Sequence, residues 1–127
     1  YPEALNDLGT LYWAEKEPAK ALEFFLRSHA ASPSHPHPYI NVAAMEFELG
    51  LTEDALKDLA DGVELGVDVD TRLALRTGEL LSRIADRYAE AKKWDEVRRA
   101  CELIVRVRQV GTEVRKKARA FLDGAGK

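Results

Sequence analysis

The chain repeats itself, and the register of the repetition narrows what it can fold into. Leu5, Leu8, Gly9, Ala21 and Phe25 recur 34 residues later as Tyr39, Val42, Ala43, Ala55 and Leu59. A further 42 residues lead to Leu81, Ile84, Ala85, Val97 and Cys101. Within each unit the two small residues keep one spacing: Gly9 to Ala21, Ala43 to Ala55 and Ala85 to Val97 are all 12 apart. Constant spacing inside units and variable spacing between them describes packed modules joined by tolerant connections. The small residues let two segments approach closely, and the larger ones fill the space between modules. The eight extra residues before the third unit fall between modules, where they lengthen a helix or loop without breaking a stack.

Each module reads as two helices. Leu5, Leu8, Leu11 and Tyr12 share one helical face, and Ala21, Leu22, Phe25 and Leu26 share another. Pro18 suits the first turn of the second helix, so residues 3–15 and 18–31 are expected to form an antiparallel hairpin. The run from Ser32 to Pro38, with Pro33, His35, Pro36 and His37, ends one helix and starts the next. Further helices are expected over 37–49, closed by Gly50, and from a Thr52 N-cap with Glu53 and Asp54 in its first turn, stopping at Gly66. A longer fifth helix runs from near Asp70 to Ala91, a sixth covers 94–108, and Gly111 with a Thr112 cap opens a seventh, with Gly124 and Gly126 in a frayed tail.

This pattern resembles the tetratricopeptide repeat, whose signature is W-x2-L-G-x2-Y followed by A, F and P. The first unit matches with Leu5, Leu8, Gly9, Tyr12, Ala21, Phe25 and Pro33, Leu standing for the leading Trp. The second is looser: Glu46 takes the place of the Tyr and Val67 that of the Pro. The third keeps Ile84, Ala85 and Tyr88, and Trp94 begins its second helix. The resemblance covers roughly residues 2–110 and implies an all-α fold: a right-handed superhelical stack of three helix hairpins, closed by a capping helix over 112–122. The whole chain, 1–127, then reads as one domain, with repeats at 2–35, 36–69 and 70–110. Arg115, Lys116, Lys117 and Arg119 supply the polar outer face that a terminal element needs.

Composition excludes several functions. With 46% hydrophobic and 32% charged residues the chain is neither disordered nor membrane-spanning. No signal peptide is visible, and a cytoplasmic setting is expected. The chain opens on Tyr1 rather than Met, so a piece of a longer protein is expected, with flanks able to hold targeting or catalytic segments. The lone Cys101 permits neither an internal disulfide nor a Cys-based metal site and is expected to pack in the core. His29, His35 and His37 lack converging partner ligands, so no metal or other cofactor is expected. No nucleophile elbow or phosphate-binding loop is present, so the chain alone is not expected to be an enzyme.

Charge is uneven: residues 1–97 carry 10 Lys/Arg against 19 Asp/Glu, and residues 98–127 carry 9 against 3. A basic end on an acidic body suits an acidic partner or a second copy, while the plainer reading is the solvated face of a last helix. Glu3, Glu48, Glu79 and Asp86 on the inner face would repel phosphate, which argues against nucleic acid.

The resemblance implies that the first helix of each hairpin lines a concave groove. The groove residues are then Asn6, Thr10 and Trp13 in the first repeat, His37, Asn41, Ala44, Phe47 and Glu48 in the second, and Glu79, Ser82, Arg83 and Asp86 in the third. Trp13 and Phe47, 34 residues apart, either form an apolar anchor site or pack against a neighbouring repeat. Some members of the family clamp the carboxylates of chaperone C-terminal tails with five groove residues. Asn41 and Arg83 match two of these, but Asn6, Thr10 and Glu79 stand where Lys, Asn and Lys are needed. The expected function is a scaffold that holds a partner's peptide or helix in the groove, favouring an apolar anchor beside basic residues. The alternatives are a non-catalytic segment of a larger enzyme, such as a transferase, and self-association.

Overall fold

The computed structural model describes residues 2–32, 36–65, 71–107 and 110–125, and its order of elements follows the expected punctuation. The helices are α1 (Pro2–Ala14), α2 (Pro18–Ala31), α3 (Pro36–Glu48), α4 (Thr52–Glu64), α5 (Thr71–Glu90), α6 (Trp94–Arg106) and α7 (Thr112–Ala120), and a π-helical turn follows at Phe121–Ala125. Among the described residues there is no strand. No described helix is long and apolar enough to cross a membrane. Pro33, His35, Gly66, Val67, Asp70 and Gly126, to which the sequence assigned turns, starts, stops or a signature place, lie outside the described residues. Two compact units divide the chain, Tyr1–Leu65 with α1 to α4 and Gly66–Lys127 with α5 to α7.

The turns inside the hairpins show the repeat register independently of the core. Lys16 (φ 61°), Gly50 (φ 83°) and Lys92 (φ 59°) adopt left-handed backbone, at the same 34- and 42-residue spacings as the packing residues. At each turn the next residue's N–H reaches back to the carbonyl five residues earlier: Glu17 to Tyr12 (2.9 Å), Leu51 to Glu46 (2.8 Å) and Lys93 to Tyr88 (2.9 Å). This is the Schellman closure, which satisfies carbonyls that the helix end would otherwise leave orphaned.

Glu17, Leu51 and Lys93 serve at once as the last residue of this closure and as the N-cap of the following helix, and none makes a side-chain cap bond. Thr52 and Thr112 are therefore first helical residues rather than caps, and their helices begin after Leu51 and Gly111. Glu53 and Asp54 still complement the exposed N–H groups of α4 through the helix dipole. A non-glycine residue in the left-handed region carries a steric penalty between its Cβ and a carbonyl oxygen. Lys16→Gly and Lys92→Gly are each expected to raise stability by about 0.5–1 kcal/mol, and Gly50→Ala to lower it by about as much. Urea denaturation checks this, and a loss of stability on either Lys→Gly change would contradict it.

In the first unit α2 lies between α1 and α3. Phe25, Ala21, Val42 and Met45 form a buried cluster, with Tyr12, Leu22 and Ala44 packed against it. Gly9 is buried because the Phe25 ring lies over it: a Cβ there would sit 2.5 Å from ring carbon Cε1. Ala43 and Ala85 are buried as expected of close-approach positions. Ser28 is buried and donates to the Pro2 carbonyl at 2.8 Å, tying α2 to the start of α1.

The expectation for Leu8 and Leu11 needs correction: they are 40% and 62% exposed, and Gly9 is the one buried residue of α1. Their equivalents in the second repeat, Val42 and Met45, are buried because α2 covers them. No described helix covers α1 on that side.

In the second unit α6 packs along α5, and α7 folds over both. Gly78 on α5 admits the Val110 side chain, which would collide with any Cβ there. Arg115 donates to the Val107 carbonyl at 2.6 Å and the Val105 carbonyl at 3.3 Å, so its cation caps the C-terminal end of α6. Lys117 pairs with Asp86 at 3.1 Å. One of the four basic residues expected to be simply solvated, Arg115, thus helps hold α7 in place, whereas Lys116, Lys117 and Arg119 are exposed and the Lys117 pair adds little. Cys101 is buried, and desolvation raises its thiol pKa, Lys117 opposing the rise and Asp86 and Glu102 adding to it.

Candidate interaction surface

The α1 residues Asn6, Thr10 and Trp13 follow one another at four and three residues, so they form a stripe along one helix face. Asn41, Ala44 and Glu48 do the same on α3. The Asn41 amide Nδ2 donates to Asn6 Oδ1 at 2.6 Å, which sets the two stripes side by side in the first unit. Two helical turns further on, the same register brings Glu48 level with Trp13. Asn41 is buried and Asn6 half-buried. The Thr10 hydroxyl donates to the Asn6 carbonyl of its own helix at 3.0 Å, leaving its oxygen turned out as an acceptor.

Trp13 is 41% exposed, a large apolar side chain within this polar setting. Phe47 is 4% exposed, which corrects its expected place as a second groove aromatic: its ring belongs to the buried interior. Ala44 is half-buried against the Phe25 cluster and adds only an edge to the surface. Glu48 is exposed. His37 lies on α3, and its side chain is outside the described residues. His29 packs edge-on against Tyr39, with ring centroids 4.4 Å apart.

On α5, Glu79, Arg83 and Asp86 are exposed and Ser82 is half-buried, with Ser82 and Asp86 next to α7. Ser82 lines a hollow with Val114 and Lys117, and Asp86, itself exposed, accepts a hydrogen bond from the Lys117 ammonium, so both lie beside α7. The capping helix lies against this part of the last hairpin.

Sequence reasoning missed a half-buried acid pair. Glu46, in the place held by Tyr12 and Tyr88, hydrogen-bonds Asp58 of α4, and its other oxygen, Oε1, is buried without a partner. Desolvation first, then the bond to Asp58 and the charges of Asp58 and Asp54, push its pKa from 4.5 to about 9. The signal was the acid itself, sitting at a position that is aromatic in the other two repeats.

No protein-family model matches the sequence, and neither does any curated protein. Solved structures do match. The N-terminal domain of stress-induced protein-1 (STI-1) from C. elegans superposes with a TM-score of 0.73 at 20% identity, over 95% of this chain and 94% of that one. The first TPR of Spaghetti (RPAP3) bound to the HSP90 peptide SRMEEVD gives 0.68 at 18% identity, over 99% and 94%. The first TPR domain of human RPAP3 gives 0.65 at 19%, over 96% and 90%. The chain therefore has the fold of a tetratricopeptide-repeat domain.

Proposed function

We propose that the chain is a protein-interaction module that holds a partner's peptide or helix against the α1 and α3 stripes. The Asn41 to Asn6 hydrogen bond carries this reading, because it aligns Asn6, Thr10 and Trp13 with Asn41 and Glu48 in one strip. Burying Trp13 supplies most of the affinity, and the outward amide and hydroxyl groups of Asn6 and Thr10 meet an extended backbone. The fold supports the reading: a similar domain was solved with the HSP90 peptide SRMEEVD bound.

The chemistry of the bound segment differs from that acidic tail. Neither α1 nor α3 carries a Lys or Arg, while Glu3 and Glu48 are exposed on them. In the second unit Glu79 is exposed where clamping relatives need a Lys. Anionic residues here disfavour a carboxylate and favour Lys or Arg beside the partner's apolar anchor. Calorimetric titration with SRMEEVD is expected to give no saturable binding up to about 1 mM. Micromolar binding abolished by Arg83→Ala would overturn this charge reading.

Trp13→Ala is expected to weaken binding of a Lys-flanked apolar peptide by about 2 kcal/mol or more, with little loss of thermal stability, because the ring is already partly in water. A steep drop in melting temperature with unchanged affinity per folded molecule would instead make Trp13 a packing residue.

A further inference from the structure

The two ends of the chain carry complementary surfaces. At the first end, Leu8 and Leu11 stand exposed on α1 in the register of Val42 and Met45 on α3. Those two are buried by Ala21 and Phe25 of the helix that precedes them, so the α1 face has the composition of a packing surface but lacks its cover. At the other end, Val97 and Cys101 occupy on α6 the register that Ala21 and Phe25 occupy on α2. Their cover is the short α7, which fills the space incompletely. A partly open, mainly apolar hollow of about 120 Å³ remains, lined by Trp94, Val97, Cys101 and Phe121 among others, with the Lys117–Asp86 ion pair also in its wall. Trp94 and Phe121 stack at its rim with centroids 6.3 Å apart.

Charge is opposed as well. Asp7 on α1 and, just beyond its end, Glu15 and Glu17 are exposed, against the exposed cation Lys16 between the last two, and α1 itself has no cation. Lys116 and Arg119 are exposed on α7.

We propose that the Leu8–Leu11 face of α1 is one half of a head-to-tail contact between copies of this chain, the other half being the apolar hollow under α7 of a second copy. Leu11 enters the hollow beside the Trp94–Phe121 stack, and Asp7 and Glu15 meet Lys116 and Arg119. A head-to-head pairing would set Asp7 and Glu15 against their own copies, which is repulsive. Since the two surfaces differ, the contact is heterologous, and it continues from copy to copy unless the rotation closes a ring. The inference is independent of the peptide strip, which uses Asn6, Thr10 and Trp13.

Sedimentation equilibrium of the whole chain tests it. The average mass is expected to rise with concentration past that of a dimer and to fall with added salt. Leu11→Glu, on a side chain already in solvent, should weaken association at least about tenfold with an unchanged melting temperature. Lys116→Glu combined with Arg119→Glu should also weaken it. Mixing these two variants leaves one intact head and one intact tail, and should restore a discrete one-to-one pair. A chain that stays monomeric up to about 1 mM, or association indifferent to Leu11→Glu, would overturn the proposal. A mixture no more associated than its components would overturn the head-to-tail arrangement.

Discussion

Phe25→Ala is expected to destabilise the fold by about 3–5 kcal/mol, a large share of what a domain of this size possesses. The ring lies over Gly9 on α1 and packs with Ala21, Val42 and Met45, so one side chain joins three helices. Removing it leaves a cavity that those helices, fixed by their own turns, can close only in part. The same contact predicts a coupling. Gly9→Ala alone puts a Cβ 2.5 Å from a buried ring, which must shift, at a cost of about 1–3 kcal/mol. With Phe25→Leu the shorter side chain makes room, and Gly9→Ala should cost less than half as much. Urea midpoints for the two single variants and the double variant form the cycle. Additive losses would show that Gly9 is small for some reason other than Phe25.

Glu46→Gln is expected to stabilise the protein, increasingly so as the pH rises. The carboxyl has a folded pKa of about 9 against 4.5 unfolded, so the folded state retains a proton that the unfolded chain has released. Where the folded state binds more protons, stability falls with rising pH. The wild type should therefore be most stable below about pH 4.5 as far as this group is concerned, and lose stability up to about pH 9. Gln cannot ionise, and its amide can donate to the Asp58 carboxylate. Allowing for the residual water access of a half-buried group, the variant should gain about 2–3 kcal/mol at pH 8 and little at pH 4.5. Melting curves across this range decide it: a gain that does not change with pH would mean that shape rather than proton binding sets the difference.

The hairpins were legible in the sequence because their determinants are local. Small residues at a constant spacing, Pro18 in a first turn and Gly50 at a helix end each act within a few residues of their position. The left-handed turns at Lys16 and Lys92 were hidden, since lysine gives no signal for that backbone, and only the register with Gly50 reveals them. The alignment of Asn6, Thr10 and Trp13 along one face of α1 was legible from helical period. Phe47, Leu8 and Leu11 were not: a large apolar residue at helical spacing looks the same whether or not a neighbouring helix covers it. Arg115 was misplaced because its partners, the Val105 and Val107 carbonyls, lie on another element, and no spacing in the sequence brings it to them.

The central claim, that the α1 and α3 stripes hold a partner segment, is tested most directly by NMR titration of the chain with two short peptides. Both carry the same apolar anchor, flanked in one by Lys and in the other by Glu. The Lys-flanked peptide is expected to bind and to shift the resonances of Asn6, Thr10, Trp13, Asn41 and Glu48, while the Glu-flanked peptide leaves them unmoved. Tighter binding of the Glu-flanked peptide, or shifts confined to residues away from the two stripes, would contradict the account.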